Sequence, residues 1–244
     1  MRLHPERSSL YLAEPRDLLG QVPSPLDARD RSDLRRILEW GRDFLCQGHP
    51  DLGRSGAVCP YVPPALEKNL LWLASHRGLN SRSAIRQVIR GYRDWFEEIE
   101  PTAWPGARFK AFIVVFPGVP PGDAPDVIDV VQRELKPEFV ARGLMLGEFH
   151  PDCPSPGVRN PGFRPLQSPL PLLVIRHMLP MDFLFLDGEA RFVTAYLDHF
   201  ADDVPSSLLP RLAEAMVRFA LERPAQQEPG MDALPLEHRT AGPR

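Results

Sequence analysis

Three cysteines in 244 residues are too few, and the wrong parity, for a disulfide framework. No apolar run approaches the roughly 20 residues needed to span a bilayer. The opening stretch, MRLHPERSSLYLAEPRD, lacks the continuous apolar core of a secretory signal. Charge of one sign is scarce as well: the net charge is −3, with 43% hydrophobic and 25% charged residues, so nothing in the balance calls for nucleic acid or an anionic membrane as a partner. Familiar catalytic signatures are missing too. There is no Walker loop, no G-x-S-x-G elbow, no H-E-x-x-H, no C-x-x-C and no dinucleotide fingerprint of glycines after a strand. These absences weigh against the common NTPases, hydrolases and dehydrogenases. The expectation is a cytoplasmic protein with reduced thiols.

What the chain has in excess is proline. Its 29 prolines are more than twice the background of roughly 5%, and they cluster between the periodic segments, where they stiffen loops. Residues 1–30 read as an irregular arm and 223–244 as a flexible tail, because periodicity is absent from both. Between them, 31–222 read as one domain with no internal repeat.

Asp30 or Ser32 opens a helix carrying Leu34, Ile37, Leu38, Phe44 and Leu45. A second helix is expected over 64–75. The clearest helix starts at Ser81, with Ile85, Val88, Ile89, Tyr92, Trp95, Phe96 and Ile99 in three-four spacing. Phe109 begins a buried strand, FKAFIVVF. A helix over 123–143 is expected to kink at Pro137 and to end at Gly143. Strands are expected at 144–149, 170–178 and 182–186, then helices over 190–201 and 207–222. The predicted class is α+β, with helices packed on a small, mostly antiparallel sheet. Apolar helices such as 81–100 can serve a homodimer interface as readily as a core.

Two proline-bracketed segments remain as candidate chemistry. In GHPDLGRSGAVCPYVP (48–63), Cys59 precedes a proline that holds it extended. That suits a ligand or a reactive thiol, although a buried small cysteine is the commoner outcome. In GEFHPDCPSPGVRNPGFRPLQSPLPLLVIRHM (147–178), His150 follows a strand and precedes Pro151. Arg159, Arg164 and Arg176 face few acidic counterweights. Guanidinium forks suit carboxylates and phosphates, but ion pairs to Asp182 and other acids account for them nearly as well. His177 alternates toward the core face of its strand. His150 and Cys153, completed by His49 or Cys59, form a zinc alternative that lacks the usual short ligand spacing.

The run from Gly147 to Asp182, together with CPYVP at 59–63, resembles the YqcI/YcgG family of bacterial proteins. That family has a His-Pro pair followed by arginine, an aromatic residue, prolines, an apolar strand and a histidine. The resemblance implies a haem-dependent oxygenase acting on a small nitrogenous metabolite. It makes His150 the axial ligand, and Arg159 and Arg164 the partners of the propionates. His177 becomes a distal group or the alternative ligand, with Arg176 beside it as a further catalytic candidate, and Cys59 the alternative thiolate ligand. The sequence departs from the family at Tyr61-Val62-Pro63 and at Met178–Met181. The alternatives are a non-catalytic haem- or ligand-binding accessory protein and the His/Cys metal site.

Overall fold

Short apolar stretches separated by proline-rich turns build the centre of this protein. The computed structural model describes residues 1–20 and 26–222; the tail expected at 223–244 lies outside them. Strands β1 (Arg2–Leu3) and β2 (Tyr11–Leu12) form a small antiparallel pair, followed by α1 (Pro15–Leu19) and α2 (Ala28–Trp40). Then come α3 (Val62–Glu67), β3 (Leu71–Ser75), α4 (Arg82–Glu98), β4 (Ala111–Val115), α5 (Val130–Val140), β5 (Leu144–Phe149), β6 (Leu172–His177), α6 (Ala190–Phe200) and α7 (Leu209–Glu222).

The main sheet has the order β3-β4-β6-β5. β3 and β4 are parallel, joined through α4, while β4–β6 and β6–β5 are antiparallel. Two of three pairings are therefore antiparallel, and the fold is α+β. Strand alternation splits the apolar residues between two faces. Trp72, Ala74, Phe112, Val114, Leu173 and Ile175 pack beneath α4 and α5. Leu71, Leu73, Ile113, Val115 and Leu172 pack beneath α1, α2 and α3. A third cluster joins Met145 and Met178 to α6 and α7. No helix among the described residues is long and apolar enough to cross a membrane.

Several expectations need correction. The predicted helix over 64–75 is α3 followed by a strand. Leu71–Ser75 is buried on both faces and pairs with β4, and a short, wholly buried apolar run carries no periodicity that distinguishes helix from strand. The predicted strand at 182–186 is instead a 3-10 turn, Pro180–Phe185, ended by Leu186, and the Asp182 carboxylate accepts from the backbone N–H of Leu179 at 2.7 Å. The helix expected from Asp30 or Ser32 is capped one turn earlier by Asp27, which accepts from the N–H of Arg29. Pro137 lies inside α5, which runs through it to Val140; the irregular turn is upstream, a π turn over Pro125–Asp129. α5 ends three residues before Gly143, and Gly143 takes the left-handed φ of +68° expected of a capping glycine as the chain turns into β5.

The arm is more ordered than its sequence suggests. Ala13 exchanges two backbone hydrogen bonds with Leu73, at 2.8 and 2.9 Å, along the free edge of β3. Leu10, Leu12, Ala13 and Leu18 are buried in the core. Tyr11 donates its hydroxyl to the Ser75 carbonyl, and Ser75 in turn donates its side chain to Asp30.

Candidate functional site: an aromatic cleft between two loops

The two proline-bracketed segments meet. Proline limits the conformations of each, and a few specific contacts fix one against the other. The side-chain amide of Asn160 donates to the Asp51 carbonyl at 2.8 Å. Gly53, at φ +72°, approaches so closely that a Cβ there would lie 3.1 Å from the Cβ of Arg159. Phe163 is the apolar anchor, buried with Leu45 and Val58 and flanked by Trp40, Phe44, Leu52 and Cys59.

Above this anchor opens a cleft of about 450 Å³, lined by Trp40, Phe44, His49, Asp51, Gly162, Phe163, Arg164 and Gln167. Its walls are aromatic. Trp40 stacks on Phe44 at 6.0 Å, and His49 stacks on Phe163 at 4.7 Å. The Nδ1 of His49 accepts the N–H of Asp51 at 3.2 Å, which in the neutral ring assigns the proton to Nε2 and makes that atom a donor. Arg164 is steadied by donating from one terminal nitrogen to the carbonyls of Pro161 and Phe163. Its remaining guanidinium donors have no partner among the described residues. The cleft therefore joins stacking faces with two hydrogen-bond donors, one permanently cationic, and one carboxylate.

The residues singled out in the sequence divide among three places. Arg164 lines the cleft, with Arg159 beside it on the same loop and Cys59 packed under its anchor. His150 lies behind the cleft and is fully buried. Its carbonyl accepts from Cys153 and Ser168, which closes the His-Pro corner. His150 Nε2 is 3.2 Å from Asp129 Oδ1, but the orientation makes no hydrogen bond. Both atoms, and His150 Nδ1, are buried without a hydrogen-bond partner. Close by, burial raises the pKa of Glu148, helped by the charge of Asp129. Burial likewise raises that of Cys153.

Arg176 and His177 form the third place. β5 pairs Phe149 with Leu172 and Leu144 with His177, so the two ends of this ladder are ~17 Å apart at ~3.3–3.4 Å per residue. Arg176 is taken up by Asp182, which accepts two hydrogen bonds from it at 2.5 and 2.7 Å. Burial disfavours its cation, but the Asp182 charge and hydrogen bonds outweigh that and raise its pKa. His177 faces Phe96 at 5.0 Å. Burial, then the nearby Lys110 cation, pushes its pKa down to about 4.

This arrangement does not fit haem held by His150 with His177 on the opposite side. His150 is fully buried, and His177, expected as a distal group or the alternative ligand, stands at the other end of the β5–β6 ladder, so the two rings do not flank one site. Nor is any group of three His, Cys, Asp or Glu side chains among the described residues arranged to hold a metal ion. Sequence reasoning passed over Trp40, Phe44, Asp51, Phe163 and Gln167. The usable signal was an aromatic pair four apart, Trp40 at the last residue of α2 and Phe44 in the turn that follows it.

No curated protein and no solved structure matches this chain. The family described as Domain of unknown function (DUF6875) matches residues 34–210. That span runs from the core face of α2 to the start of α7, covers well over half of the chain and includes both cleft loops. The chain belongs to the DUF6875 family.

Proposed function

We propose that this protein binds a small planar molecule carrying a carboxylate, and that the cleft between the 49–53 and 157–167 loops is its site. The observation that carries this reading is the pairing of aromatic walls with the free donors of Arg164 and His49 in one cleft of about 450 Å³. Offset stacking on the partly exposed rings of Trp40, Phe44 and His49 favours a flat ring system. A guanidinium with unspent donors favours a carboxylate, which it can hold through two parallel hydrogen bonds. Asp51 adds a preference for a ligand with a donor, such as an amine or hydroxyl, at the opposite edge.

Haem belongs to this chemical class, as a planar macrocycle with two carboxylates. On this reading it would be held by the cleft, with His150 playing no part as ligand. The test is isothermal titration calorimetry of the full chain with haemin, an indole carboxylate, a benzoate and their uncharged amides. Saturable binding of at least one carboxylate is expected, with the matching amide weaker. Arg164→Ala and Phe163→Ala should each lower affinity about tenfold or more, and His150→Asn should leave it unchanged. Loss of binding on His150→Asn, with no effect of Arg164→Ala, would reverse the assignment. Failure of every planar carboxylate would sink the reading.

A further inference from the structure

α7 is apolar on two sides. Its inner side places Leu212 and Ala215 against α6 and the turn after β6. At 3.6 residues per turn, Leu209, Ala213, Met216, Val217, Ala220 and Leu221 share a different side, directed away from the core. Leu209, Met216 and Val217 are each more than half exposed, and Leu221 is 81% exposed. The side chains along this face border a shallow depression of about 680 Å³, lined by Ala213, Glu214, Val217, Arg218, Leu221 and Glu222. Contiguous exposed apolar surface of this kind marks an interaction site.

The charges beside the stripe indicate what it meets. They alternate along the helix as Arg211, Glu214, Arg218 and Glu222. Arg211 is held by the Asp187 carboxylate, and Arg218 donates one bond to the Asp187 carbonyl. Glu214 has no ion-pair partner among the described residues. If an identical helix lies antiparallel across the stripe, with the two-fold axis at Met216, Glu214 of each copy falls opposite Arg218 of the other. The pattern is thus complementary to itself, as an interface between identical subunits requires. A parallel arrangement would set Glu214 against Glu214.

We propose that α7 is the contact through which two copies of this chain associate, packed antiparallel about Met216. The exposed stripe forms the apolar seam, and two Glu214–Arg218 pairs fix direction and register. Exposed charge pairs contribute little each, so the seam supplies affinity and the pairs supply orientation.

Sedimentation equilibrium of the full chain across micromolar concentrations tests this. A dimer is expected, and Val217→Glu with Leu221→Glu should return it to monomer while far-ultraviolet circular dichroism and melting stay near those of the parent. Glu214→Arg should weaken association about tenfold by placing arginine against arginine. Adding Arg218→Glu to the same chain should restore it, which a nonspecific apolar contact would not do. A chain that stays monomeric at all concentrations overturns the proposal. So does a full chain that is monomeric and associates only when cut after Glu222, since residues 223–244 would then be what covers the stripe. Dimerisation unaffected by all of these substitutions overturns it as well.

Discussion

The side-chain amide of Asn160 donates to the carbonyl of Asp51 at 2.8 Å, and this bond joins two cleft loops 109 residues apart in sequence. Removing it with Asn160→Ala should cost about 1 kcal/mol of local stability. It should loosen the cleft without disturbing the sheet. The expected readout is faster amide hydrogen exchange confined to 49–56 and 157–167, with unchanged protection in β4 and β6. Uniform loss of protection would show instead that the loops support the whole fold.

Lys110 is fully buried, and its ammonium donates to the carbonyls of Phe96 and Ile99 at 2.6 and 2.7 Å, closing the C-terminal end of α4. Lys110→Met keeps the volume but leaves both acceptors unpaired, at a cost of about 2–4 kcal/mol in urea unfolding. Burial pulls the Lys110 pKa down to about 8. Between that value and the 10.5 of the unfolded side chain, the unfolded state holds the extra proton, so stability rises with pH. The parent should therefore gain stability from pH 8 to pH 10 through this group, and Lys110→Met should lose that gain.

His76 and His177 set the acid side. Burial lowers both to about 4. His76 Nε2 and the Tyr92 hydroxyl are hydrogen-bonded at 2.9 Å, and that hydroxyl lies 3.0 Å from the Tyr11 carbonyl, to which it donates when His76 carries its proton on Nε2. The unfolded imidazoles take up protons near pH 6.5 and the folded ones only near pH 4. Stability conferred by the neutral rings is thus present above about pH 6.5 and lost as pH falls toward 4. Each ring contributes a slope of at most ~1.4 kcal/mol per pH unit, less for the half-exposed His177. His177→Phe should flatten the fall in melting temperature between pH 6.5 and 4.5; an unchanged slope would remove His177 from the account.

Asp182 holds Arg176 and also accepts from the Leu179 N–H. Asp182→Ala leaves a cation largely inside the protein without its partner. The expected cost is about 2–3 kcal/mol, below that of a fully enclosed pair, because 26% of the Arg176 side chain stays exposed. Chemical denaturation of Asp182→Ala, Arg176→Met and the double variant separates these terms. The double variant should recover part of the loss.

The same residues show what a single sequence can and cannot convey. α4 was plain because Ser81 caps it and its apolar residues fall on one stripe; β5 was plain because its six residues are bounded by a left-handed Gly143 and the His-Pro corner. β3 was hidden, since a strand buried on both faces has no alternation to display, and Leu70–Leu73 read equally well as a helical face. The two proline-rich segments were legible as unusual. Their juxtaposition was not, because the Asn160–Asp51 bond and the Gly53–Arg159 approach are long-range contacts with no local signature. The emphasis on His150 followed from its neighbours in sequence, whereas the ring that lines the cleft belongs to another of the chain's three His-Pro pairs, His49-Pro50.

The ladder between Ala13 and Leu73 bears on how this protein avoids its own kind in the wrong geometry. β3 ends the sheet as five consecutive buried residues, Leu71–Ser75, a sequence well suited to recruiting another chain's strand. The arm occupies that row of donors and acceptors at Leu73, and its Tyr11 hydroxyl takes up the N–H and carbonyl of Ser75. The first residues of the chain thus serve as a guard against aggregation, shielding a sticky strand that folding leaves at the margin.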